Sequence, residues 1–137
     1  MRLTVTVVTL GVDDLERAVS FYRDGLGLTT VGIVGMEFEH GAVAFFDLQP
    51  GVRLALWPRT SIAHDAGLVL GARSPTELTL GSNVASPREV DELMERASSA
   101  GARILKLAGA TFWGGYAGYF QHPDGHVWEV VYNPEYV

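Results

Sequence analysis

One order of elements, a strand, a helix and then three strands, runs through this chain twice, and few folds accommodate such a repeat. Residues 3–10 are rich in Val and Thr and read as a strand. Asp13 with Glu16 has the spacing of a capping box. Leu15, Ala18, Val19, Tyr22 and Leu26 then recur at helical intervals until Gly25 and Gly27 end the helix. Three strands are predicted over 28–36, 42–48 and 52–57, broken at Glu39-His40-Gly41 and Gln49-Pro50-Gly51. Residues 59–75 lose the periodicity and read as a linker with one short helical turn. The pattern then restarts. A strand is predicted over 77–80, and Ser86-Pro87-Arg88-Glu89 opens a helix whose stripe is Val90, Leu93, Met94, Ala97 and Ala100, stopped by Gly101. Strands over 102–107, 116–121 and 126–132 complete it, and Thr9-Leu10-Gly11 is echoed by Thr79-Leu80-Gly81. Neither unit can bury both faces of its sheet. The expectation is therefore α+β: two βαβββ modules, 1–58 and 76–137, packed as one domain over 1–137, with mixed sheets forming a concave cup and helices outside. The cup is the natural ligand pocket.

Composition narrows the partners. A 47% hydrophobic, 19% charged chain has a core to bury, and its formal charge of −6 leaves little from which to build a phosphate-binding surface. Nucleic acid is excluded on that ground. With no cysteine the chain has no disulfide, thiolate nucleophile or sulfur ligand, which fits a reducing compartment. No apolar run could span a bilayer and the first ten residues do not read as a signal peptide, so the expectation is a cytoplasmic protein without a membrane partner.

The closing stretch, residues 113–133, reads as a β-hairpin around Pro123-Asp124-Gly125, where proline presets φ, aspartate can bond its own backbone and glycine can take φ > 0. Strand alternation sets Trp128, Val130 and Tyr132 on one face and Val127, Glu129 and Val131 on the other. A carboxylate among valines needs a cation, a donor or a proton. Glu129 is thus the first candidate site residue, unless a tyrosine or a backbone N–H satisfies it. All four histidines, His40, His64, His122 and His126, fall in turns or the linker and read as solvated loop residues.

Two stretches carry a family resemblance. Leu10-Gly-Val-Asp-Asp-Leu-Glu-Arg-Ala-Val-Ser-Phe-Tyr-Arg-Asp-Gly-Leu-Gly-Leu28 resembles the opening of the vicinal oxygen chelate superfamily, which includes glyoxalase I, bleomycin-resistance proteins and extradiol dioxygenases. Ala100-Gly-Ala, Trp113-Gly-Gly-Tyr and Phe120-Gln-His-Pro-Asp-Gly-His-Val-Trp-Glu129 resemble its close. The resemblance implies the paired-module fold and, in metal-dependent members, a divalent ion held by first- and last-strand side chains of both modules. Those positions fall at Val7, Glu77, Ala55 and Glu129, of which only the two glutamates can bind a metal. No cofactor is therefore expected. A hard ion such as Mg²⁺ or Mn²⁺ held by Glu77, Glu129 and waters is the alternative. If both carboxylates share the cup without a cation, repulsion and desolvation raise at least one pKa and make a general acid or base.

With Ala55 at a ligand position, parity puts Arg53 and Trp57 on the same wall, while Trp113 and Tyr116 belong to the Gly-rich loop that approaches the cup in this family. Arg53, Ala55, Trp57, Trp113, Tyr116 and Val7 are thus the predicted ligand-binding residues, and Glu129 with Glu77 the catalytic candidates. Such walls suit a flat aromatic molecule with a polar group. Two functions follow: a metal-free small-molecule binding protein of the bleomycin-resistance type, or a glyoxalase-type lyase or isomerase using Glu129 and Glu77. The resemblance also implies a homodimer paired through exposed sheet edges.

Overall fold

The computed structural model describes residues 2–136 and has two compact units, 1–72 and 73–137, each with one four-stranded mixed sheet. The architecture is α+β in two modules, as the repeat predicts.

In the first unit the sheet order is β1-β4-β3-β2, with β1 (Val7–Val12), β2 (Ile33–Val34), β3 (Val43–Gln49) and β4 (Val52–Pro58). β1 and β4 are parallel; the other pairs are antiparallel. Helix α1 (Leu15–Ser20) widens into π-type turns over Phe21–Gly25, and the adjacent Phe21 and Tyr22 are both buried. Its cap is Asp14 rather than Asp13. The Asp14 carboxylate accepts the Arg17 N–H at 3.0 Å, whereas Asp13 lies 3.6 Å from Arg59. Ala18, Val19 and Tyr22 share the core with Leu10, Val12, Ala44, Phe46, Leu54 and Leu56, the alternate residues of β1, β3 and β4. Burying a side chain of this kind contributes about 1.5–3 kcal/mol.

Two departures from the sequence reading have local causes. The strand predicted over 28–36 shrinks to Ile33–Val34 because Gly32 and Gly35 take φ of +91° and +79°, outside the strand region. The predicted linker instead holds α2 (Arg59–Ala66), ended by Gly67 at φ +72°. Close approach of α2 to β1 needs Gly11, where an added Cβ would lie 3.0 Å from Arg59 Cγ and 3.2 Å from Ile62 Cδ1.

The second unit has the order β5-β8-β7-β6, built from β5 (Thr79–Val84), β6 (Arg103–Ala110), β7 (Tyr116–Gln121) and β8 (Val127–Tyr132). β5 and β8 are parallel. Helix α3 (Pro87–Ser99) begins as predicted: Ser86 Oγ accepts the Glu89 N–H at 3.2 Å, and Glu89 accepts the Ala85 N–H at 2.8 Å. Its buried Val90, Met94 and Ala97 cover the face of the sheet that carries Gly118, Phe120 and Val130. The strand predicted from Glu77 begins only at Thr79, because Ser74 and Pro75 start a 3₁₀ turn over Pro75–Glu77. Among the described residues no helix is long and apolar enough to cross a membrane.

Candidate functional site

The second unit covers one face of its sheet with α3 and leaves the other without a helix, whereas in the first unit α1 covers one face and α2 closes the Gly11 end of the other. In the first unit register places Val7 beside Arg53, Thr9 beside Ala55 and Gly11 beside Trp57, so Val7, Arg53, Ala55 and Trp57 share the face away from α1, as parity predicts. Phe45 lies opposite Ala55, and Asp47 opposite Arg53, on the same face. The Arg53 guanidinium sits 4.3 Å from the Phe45 ring centroid and its Nε 3.8 Å from Asp47 Oδ1. Both Arg53 and Asp47 are exposed, so this pair orients the guanidinium more than it stabilises the fold. At the other end of the row the Trp57 indole N–H donates to the His40 carbonyl at 3.0 Å. His40 takes φ +56°, stacks on His64 at 4.2 Å between centroids, and has Nδ1 3.3 Å from the buried Ser61 hydroxyl. The tryptophan is therefore anchored to a cross-linked loop and helix.

In the second unit Glu129 faces away from α3, half-buried, directly opposite Tyr119 on β7 and Gly81 on β5. The Tyr119 phenol and this carboxylate thus stand side by side on adjacent strands. Burial first, then the Glu129 charge, hold the Tyr119 phenol above its ordinary pKa. Tyr119 went unnoticed in the sequence. Its signal was the turn: the His122 N–H bonds the His126 carbonyl at 2.8 Å, and counting outward from that closing pair brings 119 opposite 129.

The other predicted site residues in this unit lie elsewhere. Glu77, exposed on its 3₁₀ turn, accepts hydrogen bonds from Ser74 Oγ at 3.0 Å and Thr76 Oγ1 at 3.3 Å. The β5 residue beside Glu129 is Gly81, so the two glutamates form no pair. Tyr116 starts β7 with the parity of Gly118, and its hydroxyl bonds Asp91 of α3 at 2.7 Å, which raises its pKa. Trp113 is 42% exposed and its indole lies against Gly115; the loop is held by Thr111, which accepts the Gly115 N–H on Oγ1 at 2.8 Å. Gly118 lies in β7, where an added Cβ would meet Met94 Cε at 2.9 Å.

The reading of every histidine as solvated fails at His122, which is 1% exposed. Its Nδ1 accepts the Asp124 N–H at 2.9 Å, which puts the ring proton on Nε2. The Asp124 side chain is fully buried and bonds Arg73 at 3.2 Å. Gly125, at φ +97°, closes the turn by donating to the His122 carbonyl at 2.7 Å.

The family's metal can be tested against these donors. Val7 and Ala55 carry no ligand atom, Glu77 lies off the sheet, and among the described residues no group of three or more His, Cys, Asp or Glu is placed to hold an ion. The residues do not fit a divalent ion held by several protein ligands.

Two βαβββ modules, each built on a four-stranded mixed sheet, define a class of protein. A sequence profile of the Glyoxalase/Bleomycin resistance protein/Dioxygenase superfamily matches residues 4–130, and the chain belongs to that superfamily. A glyoxalase-related enzyme from Fulvimarina pelagi is 37% identical with a TM-score of 0.82, covering 96% of this chain and 88% of its own. A glyoxalase/bleomycin resistance protein/dioxygenase from Nocardioides is 31% identical at TM-score 0.75, covering 100% and 87%. A lactoylglutathione lyase from Agrobacterium tumefaciens, 23% identical at TM-score 0.70 over 99% and 98%, is similar in fold alone. No functionally curated protein matches the chain.

Proposed function

We propose that this protein binds a small, flat aromatic molecule with a polar substituent on the sheet face of the first unit that lies away from α1, and that it does so without a tightly held transition metal. The observation that carries this reading is the row Arg53, Ala55 and Trp57. Alternate strand residues are on the order of 7 Å apart, so Arg53 and Trp57 stand roughly 13 Å apart at their Cα atoms with only a methyl group between them. Ala55 is itself buried between its neighbours, so a ring would lie over the row rather than on the methyl group, with an indole toward one end and a guanidinium toward the other. Titrating aromatic acids and quinones while following Trp emission should give saturable quenching for some of them. Trp57→Ala and Arg53→Ala should each weaken it about tenfold, about 1.4 kcal/mol. If both variants bind as the parent does, this face is not the binding wall.

The second reading, a glyoxalase-type lyase or isomerase, is favoured by the Tyr119–Glu129 pair: a carboxylate beside a phenol can take a proton from a bound substrate. Elemental analysis of untagged protein separates a metal-dependent version from ours. One equivalent of Zn, Ni, Mn or Fe per chain, lost in Glu129→Ala, would overturn the metal-free reading. We also infer a homodimer. β6, an edge strand, exposes Leu105 and Leu107, and the turn after it exposes Phe112 completely, a row of apolar groups suited to a second copy. A cytoplasmic location fits the lack of cysteine.

A further inference from the structure

We propose that the second unit carries an oxyanion-binding pocket at the hairpin end of its sheet, formed by Arg73, Arg103 and Gln121. A cavity of about 340 Å³ opens there, walled also by Gly101, His122 and Pro123. The chain has ten basic residues against sixteen acidic ones, yet two of the ten meet at this cavity and no carboxylate lines it. Such a pocket is positive in an acidic protein.

Each cation has a distinct role. Arg73 is held in place: its Nη2 lies 3.2 Å from Oδ1 of the buried Asp124, and its Cδ passes 3.3 Å from where a Cβ on Gly125 would stand. Asp124 offsets part of that charge while fixing the guanidinium at the rim. Arg103, exposed at the start of β6, has no ion pair among the described residues, so its charge is not offset. Register sets it beside Gln121, whose Nε2 donates to the Gly125 carbonyl at 3.0 Å. That bond fixes the amide with its nitrogen, which has a second N–H, on the turn side. Two guanidinium groups and an amide favour an anion with several oxygens in one group, a carboxylate or a phosphate, over chloride. The anion is either free or the charged end of an organic molecule.

Calorimetric titration of the whole protein in chloride buffer tests this, with inorganic phosphate and phenyl phosphate as probes. One saturable phosphate per chain is expected in the parent. Arg103→Gln should weaken binding at least about tenfold. Arg88→Gln, which alters an exposed α3 arginine paired with Glu92, should leave it unchanged. Phenyl phosphate binding much more tightly than inorganic phosphate identifies an organic ligand's charged end, and equal affinities identify a free oxyanion. Both support the pocket. No saturable binding of either probe, or equal binding by the parent and Arg103→Gln, overturns it. Should Arg103→Gln fail to fold, amide shifts of Gly101 and Gly125 in the parent decide: movement on phosphate addition supports the site, and none refutes it.

Discussion

Replacing Gly115 with alanine tests how Trp113 is held. Gly115 is not at a positive φ, so its glycine is demanded by space: an added Cβ would fall within the Trp113 ring and 2.7 Å from the Tyr132 carbonyl oxygen. The ring can swing out, whereas the carbonyl belongs to β8 and cannot. A tryptophan buries about 150–250 Å² in a folded protein. With 42% exposure, somewhat over half of that is covered here. Losing it all at about 25 cal/mol per Å² would cost roughly 3 kcal/mol, the ceiling for the ring's share. Overpacking against Tyr132 should cost about 1 kcal/mol, the low end for an inserted methyl. Gly115→Ala should therefore destabilise by roughly 2–3 kcal/mol, and in a Trp113→Ala background by only about 1 kcal/mol, since the ring is already gone. Urea unfolding followed by far-UV circular dichroism measures all four corners of the cycle. Additivity within about 0.5 kcal/mol would show that the indole does not lie on Gly115.

Alkaline titration of phenolate absorbance should find Tyr119 ionising above the ordinary tyrosine range, and Glu129→Gln should remove part of that shift but not the part due to burial. Because the folded-state pKa is raised, the stability it contributes is complete below the unfolded tyrosine value and is lost as pH rises through the folded one, so the parent should lose more stability than Glu129→Gln over that alkaline range. A phenol titrating identically in both would disprove the coupling. Light scattering at micromolar concentration should give twice the chain mass, with the monomer mass the refuting result.

What was legible in the sequence was whatever local chemistry decides. The cap at Ser86 and the hairpin around Gly125 formed where predicted, because each is settled by atoms a few residues apart. Strand parity was equally readable: once the family resemblance had pointed to Val7 and Ala55, it put Arg53 and Trp57 on the face of Ala55. Helix α2 was not readable because its contact with β1 depends on the absence of a side chain at Gly11, 48 residues before Arg59, rather than on an apolar stripe of its own. His122 failed for a related reason. Turn position suggests water, but Arg73, 51 residues away from Asp124, closes over the buried aspartate and makes this turn part of the core. Glu77 failed because Ser74 and Thr76 supply two hydroxyl donors at once, which holds the carboxylate on a turn ahead of the strand.

The surroundings of Glu129 say what kind of group it selects. A carboxylate half-buried on a strand needs donors, and its two oxygens offer about four acceptor positions. Tyr119 stands beside it on β7, its phenol the neighbouring donor on that side. On the β5 side the residue directly beside it is Gly81, which brings no side-chain donor. The lateral supply of donors is therefore one-sided, and the unfilled acceptors turn toward whatever lies on the helix-free face. Any molecule that binds on this face of the second unit must bring an N–H or O–H to Glu129. A wholly apolar ring would leave the carboxylate desolvated without a new donor, at about 1–3 kcal/mol or more, which offsets much of what stacking contributes. A polar group is thus a condition of binding on this face and not an ornament on it.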